Sequence, residues 1–424
     1  MQLASIHLWE HQVGAVFWDT DRKVGLFEYA PEFLRSGLQV APVMLPLRSG
    51  TFAFPDLNAE TYLGLPGLLS DSLPDHFGTT LIALWLARQG RSLGDFNSVE
   101  RLCYIGSRGM GALEFQPSVR SGNKSVSVEV EGLVYLANRA LETRNQLDLP
   151  LHEESDEALE DIIRVGTSAG GARPKAVVAV NWQQGKFRSG QTLAPEGYEH
   201  WLIKFDGVNN SGLGDPLGFG RIEYAYYLMA TAAGINMAPC RLLEEHERAH
   251  FLTKRFDRIG NDKIHMQSLC AMGHLDFNRP GRHSYENALR IAQGIGLPYE
   301  SLCQLYRRML FNVVARNQDD HTRNITFLMN RAGQWSLSPA YDLTWAYNPS
   351  GMWTQHHQLS LNGKLDDFSL ADLLAPAERF GLKNPESILE EVLDAVSRWP
   401  DYAEQASIHH RMVKHIGKTH RLEF

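Results

Sequence analysis

Hydrophobic and polar residues alternate with a period of two along much of residues 1–65, as in Ile6-His7-Leu8. Several prolines interrupt this stretch, and proline is tolerated only at the ends and edges of strands. The pattern therefore predicts short antiparallel strands. An apolar face follows over residues 81–86, with Asp75 as a candidate N-cap, which predicts a helix. We place the end of this first module near residue 104.

The next stretch, to about residue 255, combines glycine-rich turns with short apolar runs. Strands are predicted over residues 176–180, 200–205 and 250–253, and a helix over residues 221–233. This pattern is typical of a small β-rich lobe that carries one helix.

Helical periodicity dominates beyond residue 260. Apolar residues recur at the i, i+3, i+4 spacing from Leu302 to Val314, which predicts a buried helix, and a hairpin is predicted over residues 325–337. We therefore expect an α+β protein with domains at residues 1–104, 105–255 and 256–424.

The composition narrows the class of protein. The chain has 424 residues, of which 43% are hydrophobic and 21% charged, values that exclude a disordered or fibrous protein. A net charge of −8 argues against binding nucleic acid through a broad basic surface, so any DNA contact would be local or made by a partner. Four widely spaced cysteines and the lack of a long apolar run predict a cytoplasmic protein with no membrane contact.

The polar stretch Asn317-Gln318-Asp319-Asp320-His321-Thr322-Arg323-Asn324 lies between the predicted buried helix and the hairpin. Asp319 and Asn324 have the spacing at which a kinase catalytic-loop Asp accepts the hydroxyl proton and the Asn binds Mg²⁺. Asp342, after the hairpin, would supply a second oxygen ligand for the metal. Asp320 remains a rival base, because adjacent carboxylates cannot be told apart from the sequence.

A glycine-rich segment, Gly166-Thr167-Ser168-Ala169-Gly170-Gly171-Ala172-Arg173-Pro174-Lys175, precedes the predicted strand at residues 176–180. Glycines let backbone N–H groups approach phosphate oxygens. The segment matches neither common nucleotide-binding pattern. A structural turn and a phosphate-binding loop therefore remain as alternative interpretations.

Lys204 lies within the apolar run Trp201-Leu202-Ile203-Lys204-Phe205, where an ammonium group needs an anionic partner or a route to water. A nucleotide phosphate would be such a partner. The alternative is that Lys204 is an edge-strand lysine that guards against aggregation. Glu223 could pair with Lys204. The charged junction Lys254-Arg255-Phe256-Asp257-Arg258 could present backbone groups to adenine, or could form an Arg–Asp network with a structural role.

Five motifs follow one another along the chain: the GGARPK segment, the strand lysine in LIKFD, the KRFDR junction, the NQDDHTRN loop and PAYDL. In this order they resemble the HipA family of bacterial serine/threonine protein kinases, the toxins of toxin–antitoxin pairs. The resemblance covers essentially the whole chain, including the N-terminal LPLRSG and LPGLLSDSLPDHFG segments. It implies a protein-kinase-like two-lobed fold with an additional N-terminal β-rich module.

The resemblance also implies roles for individual residues. Asp319 would be the catalytic base, with Lys204 and Asn324 as further catalytic residues and with Asn324 and Asp342 as Mg²⁺ ligands. Ser168 would be autophosphorylated and so switch the kinase off, although Thr167 adjoins it. The ATP-binding residues would be Gly170, Gly171, Ala172, Arg173, Lys175, Lys204, Lys254, Phe256, His321, Asn324, Tyr341 and Asp342.

The family resemblance further implies a small helix-turn-helix antitoxin, similar to HipB, that carries the DNA contacts. Aminoacyl-tRNA synthetases are the type of protein that the family phosphorylates. A basic cluster from His409 to Arg421 is interpreted as a solvated helix face, with contact to DNA or antitoxin as the alternative.

Three other functions are consistent with parts of the sequence. A small-molecule or lipid kinase would share the phosphate chemistry, and a catalytically silent co-repressor would act only by binding its antitoxin. A metallohydrolase built on Asp319, Asp320 and His321 is the most distant alternative, since His356-His357 lacks a metal-ligand spacing.

Overall fold

A computed structural model describes residues 1–74, 76–119, 127–145, 173–191, 193–208 and 218–424. The chain divides into two compact units, and the second is formed by Val40–Pro46, Arg221–Cys240 and Gln267–Phe424. The first unit holds Met1–Gln39, Leu47–Gly220 and Arg241–Met266. The three-domain division at residues 104 and 255 stays a prediction. Within the described ranges, no helix is long and apolar enough to cross a membrane.

The first unit begins with a five-stranded antiparallel sheet in the order β4-β3-β2-β1-β5. Its strands are β1 Leu3–Leu8, β2 His11–Asp19, β3 Val24–Tyr29, β4 Thr51–Phe52 and β5 Leu113–Gln116. Alternate residues of β1 are buried, namely Ala4, Ile6 and Leu8, because successive side chains of a strand point to opposite faces. The predicted short strands are confirmed.

Helices lie between and after these strands. They are α1 Pro31–Leu34, α2 Ala59–Tyr62, α3 Gly67–Ser70, α4 His76–Ala87, α5 Ser98–Ile105 and α6 Val130–Asn145, with a 3₁₀ turn at Leu93–Asp95. Helix α4 confirms the predicted helix, and its proposed N-cap, Asp75, lies outside the described residues. Helix α5 begins with a capping box, in which the Asn97 side chain accepts from the Glu100 N–H and the Glu100 carboxylate accepts from the Asn97 N–H.

A second five-stranded sheet has the order β7-β6-β8-β10-β9. Its strands are β6 Lys175–Asn181, β7 Lys186–Ser189, β8 Glu199–Lys204, β9 Cys240–Glu245 and β10 Arg248–Lys254, and a small ribbon of β11 Arg258–Ile259 and β12 Asp262–Lys263 follows. All seven residues of β6 are buried, as its apolar run requires. The three strands predicted for this part of the chain are confirmed.

One hydrophobic cluster joins the helices α4, α5 and α6 to the second sheet. Leu81 of α4, Tyr104 of α5 and Leu133 of α6 pack in the same cluster as Val178 of β6 and Ile203 of β8. The N-terminal helices therefore share their buried surface with the second sheet, and burial of that apolar area stabilises both.

The second unit is mainly helical. Its helices are α7 Phe219–Ala232, α8 Leu269–Gly273, α9 Tyr285–Gly294, α10 Tyr299–Val314, α11 Leu370–Phe380, α12 Pro385–Ser397, α13 Trp399–Gln405 and α14 His410–Gly417. The short strands are β13 His265–Ser268, β14 His283–Ser284, β15 Thr326–Met329, β16 Trp335–Leu337 and β17 Leu359–Ser360. The predicted buried helix is α10, and the predicted hairpin is formed by β15 and β16, which pair antiparallel with Phe327 opposite Leu337.

The C-terminal basic cluster has two parts. Arg411, Lys414 and Lys418 are exposed on or just after α14, in line with the solvated face predicted for them. His420 instead lies against Tyr226, whose hydroxyl is 3.0 Å from its Nε2, and burial lowers the pKa of His420 to about 4. This histidine is therefore neutral at pH 7.

Candidate active site

Lys204, the predicted phosphate-binding lysine, is the last residue of β8. It is the Cα partner of Lys175 on β6 and of Phe251 on β10, so these three side chains share one face of the sheet. The Lys204 ammonium lies 5.7 Å from the centroid of the Phe251 ring, and the Lys175 side chain is buried. The two lysines are thus direct neighbours across β6 and β8.

The glycine-rich segment is described only at its end. Thr167, Ser168, Gly170, Gly171 and Ala172 lie outside the described residues, and their roles stay predictions. The Arg173 guanidinium lies 4.1 Å from the centroid of the Phe219 ring, which fixes the entry to β6 by a cation–π contact.

The predicted helix over residues 221–233 places Glu223 in its first turn, where the helix dipole alone favours a glutamate. Helix α7 begins two residues earlier than predicted, at Phe219, and its first turn contains no acidic residue. Glu223 therefore lies beyond the first turn, where the dipole effect has fallen off, and its side chain is buried. Its predicted pairing with Lys204 stays a prediction.

The charged junction after β10 forms a buried ion-pair network. Arg255 donates to both carboxylate oxygens of Asp257, at 2.9 and 2.7 Å, and the guanidinium of Arg258 lies 2.6 Å from the same carboxylate. The Gly111 N–H donates to Asp257, while Arg258 donates to the carbonyl oxygens of Gly109 and Gly111. Burial opposes ionisation of Asp257, but the two guanidinium groups hold its pKa well below the usual range. The Arg–Asp network considered as the structural alternative is therefore present.

Lys254, at the end of β10, pairs with Glu199 on β8. Both side chains are partly exposed, so this pair contributes little to stability. The backbone N–H of Arg255 donates to the His200 carbonyl at 3.0 Å. The adenine-binding roles of Lys254 and Phe256 stay predictions.

We expect Asp257→Ala to lower the free energy of unfolding by about 3–5 kcal/mol, because two buried guanidinium groups would lose their carboxylate. Chemical denaturation measures the change. Asp56→Ala, at an exposed aspartate of the same unit, is the matched control and should stay within about 0.5 kcal/mol of the unmodified chain. Equal changes in the free energy of unfolding for the two substitutions would show that the network contributes no more to stability than an exposed aspartate does.

The NQDDHTRN loop follows α10, whose inward face of Leu302, Leu305 and Met309 is buried. The side chain of Asp319 is 52% exposed. The Nδ2 atom of Asn324 donates to the backbone carbonyl of Asp319 at 2.7 Å, across the 3₁₀ turn Thr322–Asn324. The two residues of the predicted D-x-x-x-x-N pattern are therefore joined by a hydrogen bond.

Asp320, the rival base, has a different environment from its neighbour. Its carboxylate is fully buried and accepts hydrogen bonds from the Tyr285 hydroxyl at 2.5 Å, from Nδ1 of His357 at 2.7 Å and from the backbone N–H of Gln358 at 2.7 Å. Burial, and next the Asp320 charge, raise the pKa of Tyr285 well above its ordinary value. Asp319 is thus the exposed carboxylate of the pair, and Asp320 is enclosed by its three hydrogen-bond partners. The choice of base stays a prediction.

Tyr341 and Asp342 are attached to the same loop. The Tyr341 hydroxyl lies 2.6 Å from Oγ1 of Thr326 and donates to the carbonyl oxygen of Arg323 at 2.5 Å. Asn317 donates to the backbone carbonyl of Asp342, which has a left-handed φ of 53°. Such a conformation costs energy for a residue other than glycine and is tolerated by aspartate and asparagine.

A small cavity of about 20 Å³ lies beneath the loop. Arg308, Asn312, Asp320, Asn324 and Tyr341 are among its lining residues. Burial lowers the pKa of Arg308 to about 10, and its Nη2 donates to the Ser338 carbonyl at 2.6 Å. Its Nε and Nη1 atoms have no hydrogen-bond partner among the described residues. A buried water would satisfy such donors.

The donor set of Asn324 and Asp342 fits a magnesium ion. The Asn324 amide has its nitrogen turned to the Asp319 carbonyl, which leaves the amide oxygen as the atom that would face a cation. One carboxylate and one amide oxygen, completed by phosphate and water, are typical of magnesium sites that bind nucleotides. In the described part of the chain, no cluster of three or more His, Cys, Asp or Glu side chains could hold a metal ion.

Sequence reasoning missed the buried polar residues around the loop. They are Tyr285, Arg308, Asn312, Asn317 and His357, all buried. Arg308 and Asn312 interrupt the apolar face of α10, and a buried polar residue in such a helix usually has a specific partner. That signal could have indicated them, whereas Tyr285 and His357 carry no comparable signal.

Comparison with known proteins identifies the class. Residues 4–116 match the family model of the HipA N-terminal domain, and residues 167–399 match that of the HipA-like C-terminal domain. The chain therefore belongs to the HipA family, as the sequence resemblance predicted. A comparison with curated proteins found no match.

Among solved structures, the chain is similar to HipA of the Shewanella oneidensis MR-1 toxin–antitoxin system, solved with HipB and its operator DNA. The identity is 17% and the TM-score 0.67, over 98% of this chain and 95% of that one. The match confirms the predicted α+β fold with an N-terminal β-rich module. A weaker match, with 12% identity and a TM-score of 0.35, is the Helicobacter pylori proinflammatory kinase CtkA, over 59% of this chain and 89% of that one.

Proposed function

We propose that the chain is an ATP- and Mg²⁺-dependent serine/threonine protein kinase that acts as the toxin of a toxin–antitoxin pair. The observation that carries this proposal is the arrangement of Asp319 and Asn324. The Asp319 carboxylate is exposed, and the Asn324 side chain donates to the backbone carbonyl of Asp319. Kinase catalysis requires such a pair, with a base for the hydroxyl and an oxygen ligand for the metal, at this spacing.

In the proposed reaction, Asp319 accepts the proton of a serine or threonine hydroxyl as that oxygen attacks the γ-phosphorus of ATP. The bond from the γ-phosphorus to its bridging oxygen breaks, and ADP leaves with the electron pair. Asn324 and Asp342 would hold Mg²⁺, which would neutralise charge on the phosphates. Lys204 and Lys175 add positive charge from the face of the second sheet that they share.

The proposed nucleotide-binding set also includes the glycine-rich residues Gly170, Gly171 and Ala172 with Arg173. The junction residues Lys254 and Phe256 and the loop residues His321 and Tyr341 complete it. We further propose that a phosphate on Ser168, or on the adjacent Thr167, inactivates the kinase. Such a group would add about −1.5 to −2 charges to the segment proposed to bind the ATP phosphates, and like charges repel.

A catalytically silent co-repressor would have no need of an exposed base beside a metal ligand, so the geometry of Asp319 and Asn324 favours the enzyme. A small-molecule or lipid kinase would use the same residues and differ only in its acceptor. Membership of the HipA family favours a protein acceptor. By the same analogy we propose a HipB-like antitoxin as partner, with DNA contacted through it, and an aminoacyl-tRNA synthetase as the class of target.

The test is incubation of the purified chain with γ-labelled ATP and Mg²⁺, with casein as a generic protein acceptor and mass mapping of every labelled peptide. We expect label on protein serine or threonine, including Ser168 or Thr167. Label only on added small molecules or lipids would favour the other kinase classes. No transfer under any of these conditions, with intact binding of an antitoxin, would favour the silent co-repressor.

A further inference from the structure

The carboxylate of Asp320 is the centre of a buried hydrogen-bond chain beneath the proposed catalytic loop. Its Oδ2 accepts from Tyr285, and Nδ2 of Asn312 contacts the same Tyr285 hydroxyl at 3.0 Å. The Oδ1 of Asn312 accepts from Asn317 at 2.9 Å, and Asn317 also donates to the carbonyl of Asp342. The chain thus runs without a break from Asp320 to the backbone of the proposed metal ligand.

The other side of Asp320 holds a second segment. Nδ1 of His357 and the backbone N–H of Gln358 donate to its two oxygens. A carboxylate oxygen accepts, so Nδ1 of His357 carries the proton in this contact. The segment from Asp342 to His357 is therefore tied at both ends to the NQDD part of the loop, by Asn317 at one end and by Asp320 at the other.

We propose that Asp320 is a positioning residue that holds the base Asp319 and the metal ligand Asp342 in one rigid arrangement through Tyr285, Asn312 and Asn317. The inference rests on the proposed function for its effect on catalysis. Hydrogen bonds inside a buried network are stronger than in water and restrict the groups that they join. Phosphoryl transfer depends on alignment of the base, the hydroxyl and the phosphate within fractions of an ångström, so loss of the network lowers the rate of the chemical step.

The cleanest variant is Tyr285→Phe, which removes the hydroxyl between Asp320 and Asn312 and keeps the ring. Its matched control is Tyr306→Phe, because Tyr306 is also fully buried in the second unit and donates one hydrogen bond, to the carbonyl of Leu373 at 3.1 Å. For the carboxylate, the test variant is Asp320→Asn and its matched control is Asp372→Asn. Asp372 is a buried aspartate of the same unit that accepts from Ser369 and Asn362.

Labelling of casein is measured at varied ATP concentration, beside thermal stability. We expect Tyr285→Phe and Asp320→Asn to lower the rate at saturating ATP by about 10- to 100-fold, the usual effect of losing a residue that orients a catalytic group. The ATP concentration that gives half the maximal rate should change by a smaller factor than the rate at saturating ATP. The acidic limb of the pH–rate profile should remain in Asp320→Asn, because the base is still present. The controls should lose stability without this loss of rate.

A readout independent of activity is amide hydrogen exchange of residues 317–324 and 342–346. We expect faster exchange in Tyr285→Phe than in Tyr306→Phe. Unchanged exchange and an unchanged saturating rate in Tyr285→Phe would overturn the positioning role. If the unmodified chain transfers no phosphate, the proposed function fails, and the exchange measurement still decides whether Asp320 holds the loop.

Discussion

Asp319→Asn is expected to lower phosphotransfer to protein by at least about 10²-fold, because the amide cannot accept the hydroxyl proton. Binding of ATP should remain close to that of the unmodified chain, since the contact from Asn324 is made to the backbone carbonyl of Asp319 and not to its side chain. The measurement is the rate of casein labelling at saturating ATP and Mg²⁺, beside equilibrium binding of ATP.

The matched control is Asp401→Asn, at an exposed aspartate on α13 of the same unit. It removes the same charge from the surface and should leave the rate unchanged. If Asp320→Asn were inactive and Asp319→Asn active, the base would be Asp320, and its buried network would have to open during catalysis. Equal rates for Asp319→Asn and the unmodified chain would leave the kinase proposal without a base.

The choice between the two adjacent carboxylates shows where sequence reasoning ends. Neighbouring aspartates in a loop differ only in the direction of their side chains, and the partners of Asp320 are distant in sequence. Tyr285 is 35 residues before it and His357 is 37 residues after it. No local pattern encodes those contacts, so only the fold could show which carboxylate is buried.

The same limit applies to Asp257. Its two arginine partners are visible in the sequence within two residues, and an ion-pair network was one of the two interpretations considered for the junction. The contact that gives the network its structural role comes from the N–H of Gly111, 146 residues away. The sequence could therefore predict that Asp257 pairs with its neighbouring arginines, but not that the network binds the segment around Gly111.

The elements themselves were predictable wherever the apolar pattern was strong. Helix α10 and strand β6 bury nearly all of the residues that their periodicity selected, because tertiary burial and local pattern favour the same structure there. The start of α7 was misplaced by two residues, which changed the interpretation of Glu223. Helix ends depend on local capping and fray, so they are less strongly specified than helix interiors.

Asp342→Asn should abolish most of the effect of Mg²⁺ on ATP binding and lower phosphotransfer by about 10²-fold or more, because an amide oxygen lacks the charge that a hard cation requires. Asparagine tolerates the left-handed φ of 53° at this position and keeps the backbone carbonyl that Asn317 contacts, so the local structure should persist. Asp367→Asn is the matched control, since Asp367 has a φ of 50° and is exposed in the same unit. Equilibrium binding of ATP with and without Mg²⁺ measures the effect without requiring activity. An unchanged dependence on Mg²⁺ in Asp342→Asn would remove this carboxylate from the metal site and leave Asn324 as the remaining proposed ligand.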